Sequence, residues 1–166
     1  MSDETVTEND KASICGVWAR AWKILDPIVL LLIRLYMGNI YFASGMSKLD
    51  NYLRDDWAST IYIFQDIYPI PHVPAEWVAP VWTAAELVLP VLLVLGLASR
   101  FAAFGMLVIV GLMEVSLQLS DPEYVTLDVN IMWGLLLAVL VVRGAGFLSV
   151  DKAICSWCRR PKSGEA

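Results

Sequence analysis

The chain has 166 residues, 58% of them hydrophobic and only 17% charged, where a soluble domain carries about 25% charged residues. That surplus of apolar side chains needs lipid to cover it, and a formal net charge of -5 offers nucleic acid no basic face. The length suits one bundle without a second folded domain, and an odd count of three cysteines excludes a disulfide-stapled secreted scaffold.

In chain order, residues 1–26 read as a polar, acid-rich tail. The first long apolar run starts only near Pro27, too late for an ordinary cleaved signal peptide, so it is read as retained. A bilayer core of about 30 Å needs about 20 apolar residues in a helix. Residues 27–47, 78–97, 101–119 and 127–142 meet that need, the last short enough that its outer end takes in Asp128 and Asn130. The fold class expected is therefore an all-α integral membrane protein. A four-transmembrane-helix bundle occupies residues 27–150, and a C-terminal tail occupies 151–166.

Orientation follows from basic residues in the flanks. Lys11, Arg20, Lys23, Arg100, Arg143, Lys152, Arg159, Arg160 and Lys162 assign both termini and the second connection to the cytoplasmic side of a bacterial inner membrane. Only Lys48 and Arg54 fall in the other two connections, and residues 120–126 hold no basic residue. Within the long outer connection, 49–77, Trp57, Ile61, Phe64 and Tyr68 recur at steps of four, three and four, the period of an amphipathic interfacial helix. The Pro-rich stretch 69–74 then stops any helix before the second span.

Ionisable residues at bilayer depth carry the most information, because each costs at least about 2.5 kcal/mol unless paired or hydrated. In the first span Arg34, Gly38, Tyr41, Gly45 and Lys48 follow at steps of four, three, four and three, one polar or small helical face that lets another helix approach. At about 1.5 Å per residue, Arg34 lies about 10 Å above the inner boundary and Glu86 about 12 Å below the outer one, within an arginine's reach. Glu114, on a face with Gly111 and Gln118, falls at a depth comparable to Glu86, and Lys48 and Asp128 mark the outer rim. The arrangement reads as one polar cavity open outward and closed from below by Arg34, with an Arg34–Glu86 pair as register-fixing glue in the alternative reading. Trp82 and Trp133 have the flat faces to stack on a ligand, although packing is the commoner role of such residues. His72 in the outer loop is read as a bystander. Cys155 and Cys158 form a Cys-x-x-Cys pair beside Arg159 and Arg160, a setting for reactive redox thiols. Three thiols cannot complete a four-sulfur zinc site, and no metal site is assigned.

These residues carry a family resemblance. Arg34-Leu35, Gly38, Gly45 and Lys48-Leu49 are similar to the opening motif of the DoxX family of bacterial membrane proteins. Glu86-Leu87 with Gly96-Leu97 and Arg100 resembles its second-span pattern, and Gly144-x-Gly146 with Ser149 and Asp151 resembles its closing signature. The resemblance implies a membrane component of sulfur or thiol redox chemistry linked to quinone, since the family includes subunits resembling thiosulfate:quinone oxidoreductase and members of oxidative-stress complexes. No haem, flavin or nucleotide motif is present, so an electron donor must come from a partner. The leading expectation is a redox subunit in which Arg34, Glu86 and Glu114 are the catalytic candidates. Tyr41, Lys48, Trp82, Gln118, Asp128 and Trp133 are the ligand-binding candidates, for a quinone or a small sulfur oxyanion. A non-catalytic anchor recruiting soluble redox enzymes and a small-solute transporter are the alternatives. Partners expected are membrane lipid, a soluble or membrane redox protein and a second copy of the chain, with no nucleic acid.

Overall fold

A computed structural model describes residues 4–70, 73–120 and 128–144. Side chains are described at Trp18 and from Trp22 onward within these ranges, apart from Ser120 and Asp128. His72, Cys155, Cys158, the connection at 121–127 and most of the closing signature lie outside the described residues.

The first helix, α1 (Glu4–Leu53), is 50 residues long. It starts far ahead of Pro27, which sits inside it because residues on both sides continue the helical ladder. At 1.5 Å per residue it is about 75 Å long, more than twice the hydrocarbon thickness of about 30 Å. A short α2 (Trp57–Tyr62) runs into a five-residue π-helical turn, Ile63–Ile67. Then come α3 (Ala75–Leu95), α4 (Ser99–Ser120) and α5 (Asp128–Arg143). Three helices are long and apolar enough to cross a membrane, and the fourth is shorter. The expected helical membrane bundle is thus the observed fold.

Its surface is apolar. Leu32, Leu35 and Phe42 of α1, Val81, Val88 and Leu95 of α3, Phe101, Phe104 and Val115 of α4, and Leu135 and Val142 of α5 are all exposed. In water such a surface would drive aggregation; against lipid it meets a solvent as apolar as itself. Because lipid supplies no drive between helices, small residues set how closely they pack. A Cβ added at Gly45 would lie 3.0 Å from the Leu87 side chain and 3.1 Å from the backbone carbon of Glu86, so glycine is what lets α1 press on the α3 backbone there.

The predicted amphipathic segment packs onto the bundle through its apolar face. Phe64 is buried, and Trp57, Ile61 and Tyr68 pack against the core, so the period read in the sequence is the face that caps the bundle. Asn51 donates to the Thr60 hydroxyl at 3.3 Å, tying the cap to the end of α1. At the other end, Gly96 closes α3 in the left-handed region, φ 73°, and the Leu97 N–H bonds back to the Leu92 carbonyl at 3.0 Å. The Arg100 side chain donates to the Val142 carbonyl at 3.3 Å, and Arg143 pairs with Asp26 at 2.8 Å. The α3–α4 turn, the end of α5 and the base of the α1 span therefore meet at one end of the bundle.

Candidate functional site

The interior face of α1 is the stripe expected from its spacing: Arg34, Gly38, Tyr41 and Gly45 are buried and Lys48 is mostly so. Proline shapes the facing segment of α3. Pro90 has no N–H for the carbonyl four residues earlier, that of Glu86, and this is the stretch of backbone against which Gly45 sits.

The Glu86 side chain, 3% exposed, points into the α1–α3 seam. Lys48 Nζ lies 2.5 Å from its Oε2. The Ser44 hydroxyl donates to the same oxygen at 3.3 Å and accepts from Lys48 at 2.8 Å. Trp82 Nε1 donates to Oε1 at 3.0 Å. Both carboxylate oxygens are engaged, and Phe64 from the cap packs on Trp82 with ring centroids 5.4 Å apart, closing the pair from the α2 end.

This corrects the expected Arg34–Glu86 pair. Gly45 lies level with Glu86 and Leu87, and Gly38 with Val94, which fixes the antiparallel register of α1 and α3. Arg34, eleven residues along α1 from Gly45, is about 16 Å from the level of Glu86, beyond the reach of any side chain. It is 1% exposed and its Nε donates to the Leu30 carbonyl at 3.4 Å.

A second polar cluster joins α4 to α5. Glu114 accepts from Gln118 Nε2 at 3.2 Å and from Asn130 Nδ2 at 3.0 Å. Gly111, expected on the same face, is exposed with nothing within 4 Å of its Cβ position, so it belongs to the lipid side. Asn130 is three residues from Trp133 on α5, one turn along the same face.

Between the two clusters stand Tyr41 and Trp133, ring centroids 6.5 Å apart and tilted at 59°. The Tyr41 hydroxyl and the Trp133 indole nitrogen are buried, and neither has a hydrogen-bond partner among the described residues. A buried polar atom left unsatisfied costs about 1–3 kcal/mol, and these two lie side by side in the interior. The expected residues thus fall into three groups and a separate arginine: Lys48, Trp82 and Glu86; Tyr41 and Trp133; Glu114 and Gln118; and Arg34. Ser44 and Asn130 were not singled out as site residues. Their signals were helical spacing, four residues before Lys48 and three before Trp133.

A family model described as DoxX matches residues 29–117, more than half of the chain and the whole stretch from Arg34 through Lys48 and Glu86 to Glu114. The chain belongs to the DoxX family. It is a multi-pass membrane protein of that family, and the match ends before Trp133 and before the expected closing signature. An uncharacterized protein of Haemophilus influenzae is similar, 29% identical over 133 residues that cover 76% of this chain and 83% of that one. No solved structure matches.

Proposed function

We propose that this DoxX-family chain is a bacterial inner-membrane subunit of a quinone-linked sulfur or thiol redox system, and that a quinone head docks against the Tyr41 and Trp133 donors in its interior. The observation that carries the reading is the pair of buried, unsatisfied groups on facing helices. Both are hydrogen-bond donors, and the carbonyl oxygens of a quinone are acceptors on a flat apolar ring, so the donor set fits the group. A sulfur oxyanion fits less well. The Lys48 ammonium nearest the cap is already neutralised by Glu86, and Arg34, fourteen residues along α1, is about 21 Å away.

Bound there, a quinone supplies acceptor chemistry for two electrons and two protons, the electrons coming from a partner protein. Tyr41 and Trp133 would hold its carbonyl oxygens by donation. Glu86, with both oxygens taken, keeps α1 and α3 in register and so positions Tyr41. Glu114, half-buried and one turn from Trp133 through Asn130, is the carboxylate placed to exchange protons. The excess of basic residues at the Arg100 end supports the cytoplasmic assignment of both termini. Labelling of a cysteine placed at 121–127 from outside intact cells tests it, and labelling only after permeabilisation reverses the orientation.

The binding test uses the full chain in lipid nanodiscs, titrated with a short-tailed quinone and followed by tryptophan fluorescence. Tyr41→Phe and Trp133→Phe should each weaken binding roughly 3- to 10-fold. Stability should hold or rise in Tyr41→Phe, because a hydroxyl without a partner is removed. A quinone that fails to bind the unaltered chain, or binds both variants equally well, overturns the reading.

A further inference from the structure

The lipid-facing side of α1 carries a pattern that the interior stripe does not use. Ile28, Leu32, Leu35, Asn39, Phe42 and Met46 are exposed and recur at steps of four, three, four, three and four. That alternation is a heptad seam, with Leu32, Asn39 and Met46 at its a positions and Ile28, Leu35 and Phe42 at its d positions. Five of the six side chains are apolar and content in lipid. Asn39 is not.

Asn39 is exposed and makes no hydrogen bond to any described residue. It lies within about 3 Å of the midpoint of the Trp22–Leu53 span. At that depth there is no water and lipid tails offer neither donor nor acceptor, so an unpaired amide is costly. By contrast, away from the helix ends, where Glu76, Arg100, Gln118 and Arg143 sit, the exposed side chains of α3, α4 and α5 are apolar. Asn39 also borders a groove of about 330 Å³ between α1 and α3, lined by Leu35, Gly38, Phe42, Pro90 and Val94 among others, which leaves room for side chains approaching from outside.

We infer that α1 pairs along this seam with α1 of a second copy of the chain, the two copies joined through Asn39. Two copies inserted in one orientation run their first helices parallel, and a parallel seam sets each a position opposite its own counterpart. An amide is both donor and acceptor, so Asn39 and the partner's Asn39 satisfy each other, which lipid cannot do. The neighbouring d-position side chains then pack toward the groove beside Pro90. A lone asparagine at an a position also fixes register, since a shift along the seam strands both amides in hydrocarbon.

The experiment uses full-length chains carrying donor or acceptor fluorophores, reconstituted together in vesicles and diluted with lipid. Energy transfer should persist in the unaltered chain and in Asn39→Gln, which keeps an amide, while Asn39→Leu should weaken association roughly 3- to 20-fold. In a chain whose three native cysteines are serine, Asn39→Cys should form a disulfide-linked dimer on mild oxidation, and Leu135→Cys, on the lipid side of α5, should not. Association of Asn39→Leu as tight as that of the unaltered chain overturns the inference, as does a monomeric unaltered chain or cross-linking through position 135 in place of 39.

Discussion

Two carboxylates stand in this bundle, and their surroundings differ. In the α1–α3 half, Glu86 is 3% exposed, faces an ammonium and receives donors on both oxygens. The backbone beside it is pressed by a glycine. In the α4–α5 half, Glu114 is half-buried and accepts from the amides of Gln118 and Asn130, with a glycine nearby that touches nothing. The same residue type thus does two jobs. An acid locked to a cation and two further donors holds helices in place, whereas Glu114 is the carboxylate that the proposed function assigns to proton exchange.

The comparison breaks or sharpens first at Glu86. Glu86→Gln leaves the Lys48 ammonium buried without its counter-charge and should cost about 3 kcal/mol, read by reversible unfolding in bicelles. Adding Lys48→Met should recover about 1 kcal/mol or more of the summed single costs. The cycle of Glu86→Gln with Arg34→Met should instead be additive within about 0.5 kcal/mol, as distance requires. A coupling to Arg34 larger than that to Lys48 would restore the pairing that depth alone suggested.

Gly45→Ala is the next largest. The new methyl meets Leu87 and the Glu86 backbone at about 3 Å, and overpacking of this kind costs about 2 kcal/mol. Gly111→Ala, in open space on a helix, should be neutral or stabilising by a few tenths of a kcal/mol. Equal effects at the two glycines would erase the distinction between a closed seam and a lipid face. Glu114→Gln should cost less than Gly45→Ala, about 1 kcal/mol, since hydrogen bonding survives without the charge. In quinone-dependent turnover the order should reverse, Glu114→Gln losing the larger share of activity per unit of stability lost, because an amide keeps the shape but takes up no proton.

Much of this was legible in the sequence where periodicity speaks. The stripe from Arg34 to Lys48 reads correctly because a membrane-facing helix tolerates polar and small residues only on its inner side, and the 57–68 period marks the cap because its aromatic residues need a surface. The partner of Glu86 was not legible. Depth counted along each helix assumes that spans start at the membrane boundary. The real register is set by Gly45 against the backbone at Glu86 and by where α3 turns at Gly96, relations between helices that one-dimensional spacing does not contain. Trp82 was read as a stacking face, and its indole N–H bonded to Glu86 is visible only afterwards as a four-residue step. The helical continuation of α1 back to Glu4 escaped for a similar reason. The segment ahead of Pro27 reads as a polar tail, and that proline resembles a boundary although it sits within the helix.

That continuation gives the molecule a mechanical arm. From Glu4 to Asp26 the helix extends about 34 Å beyond the first span, so a tilt of about 10° at its base moves its tip about 6 Å. The base is where proline deletes a rung of the ladder, and it is clamped to the last helix through Asp26 and Arg143. A load on the arm therefore reaches α1 and α5 together, the two helices that carry Tyr41 and Trp133.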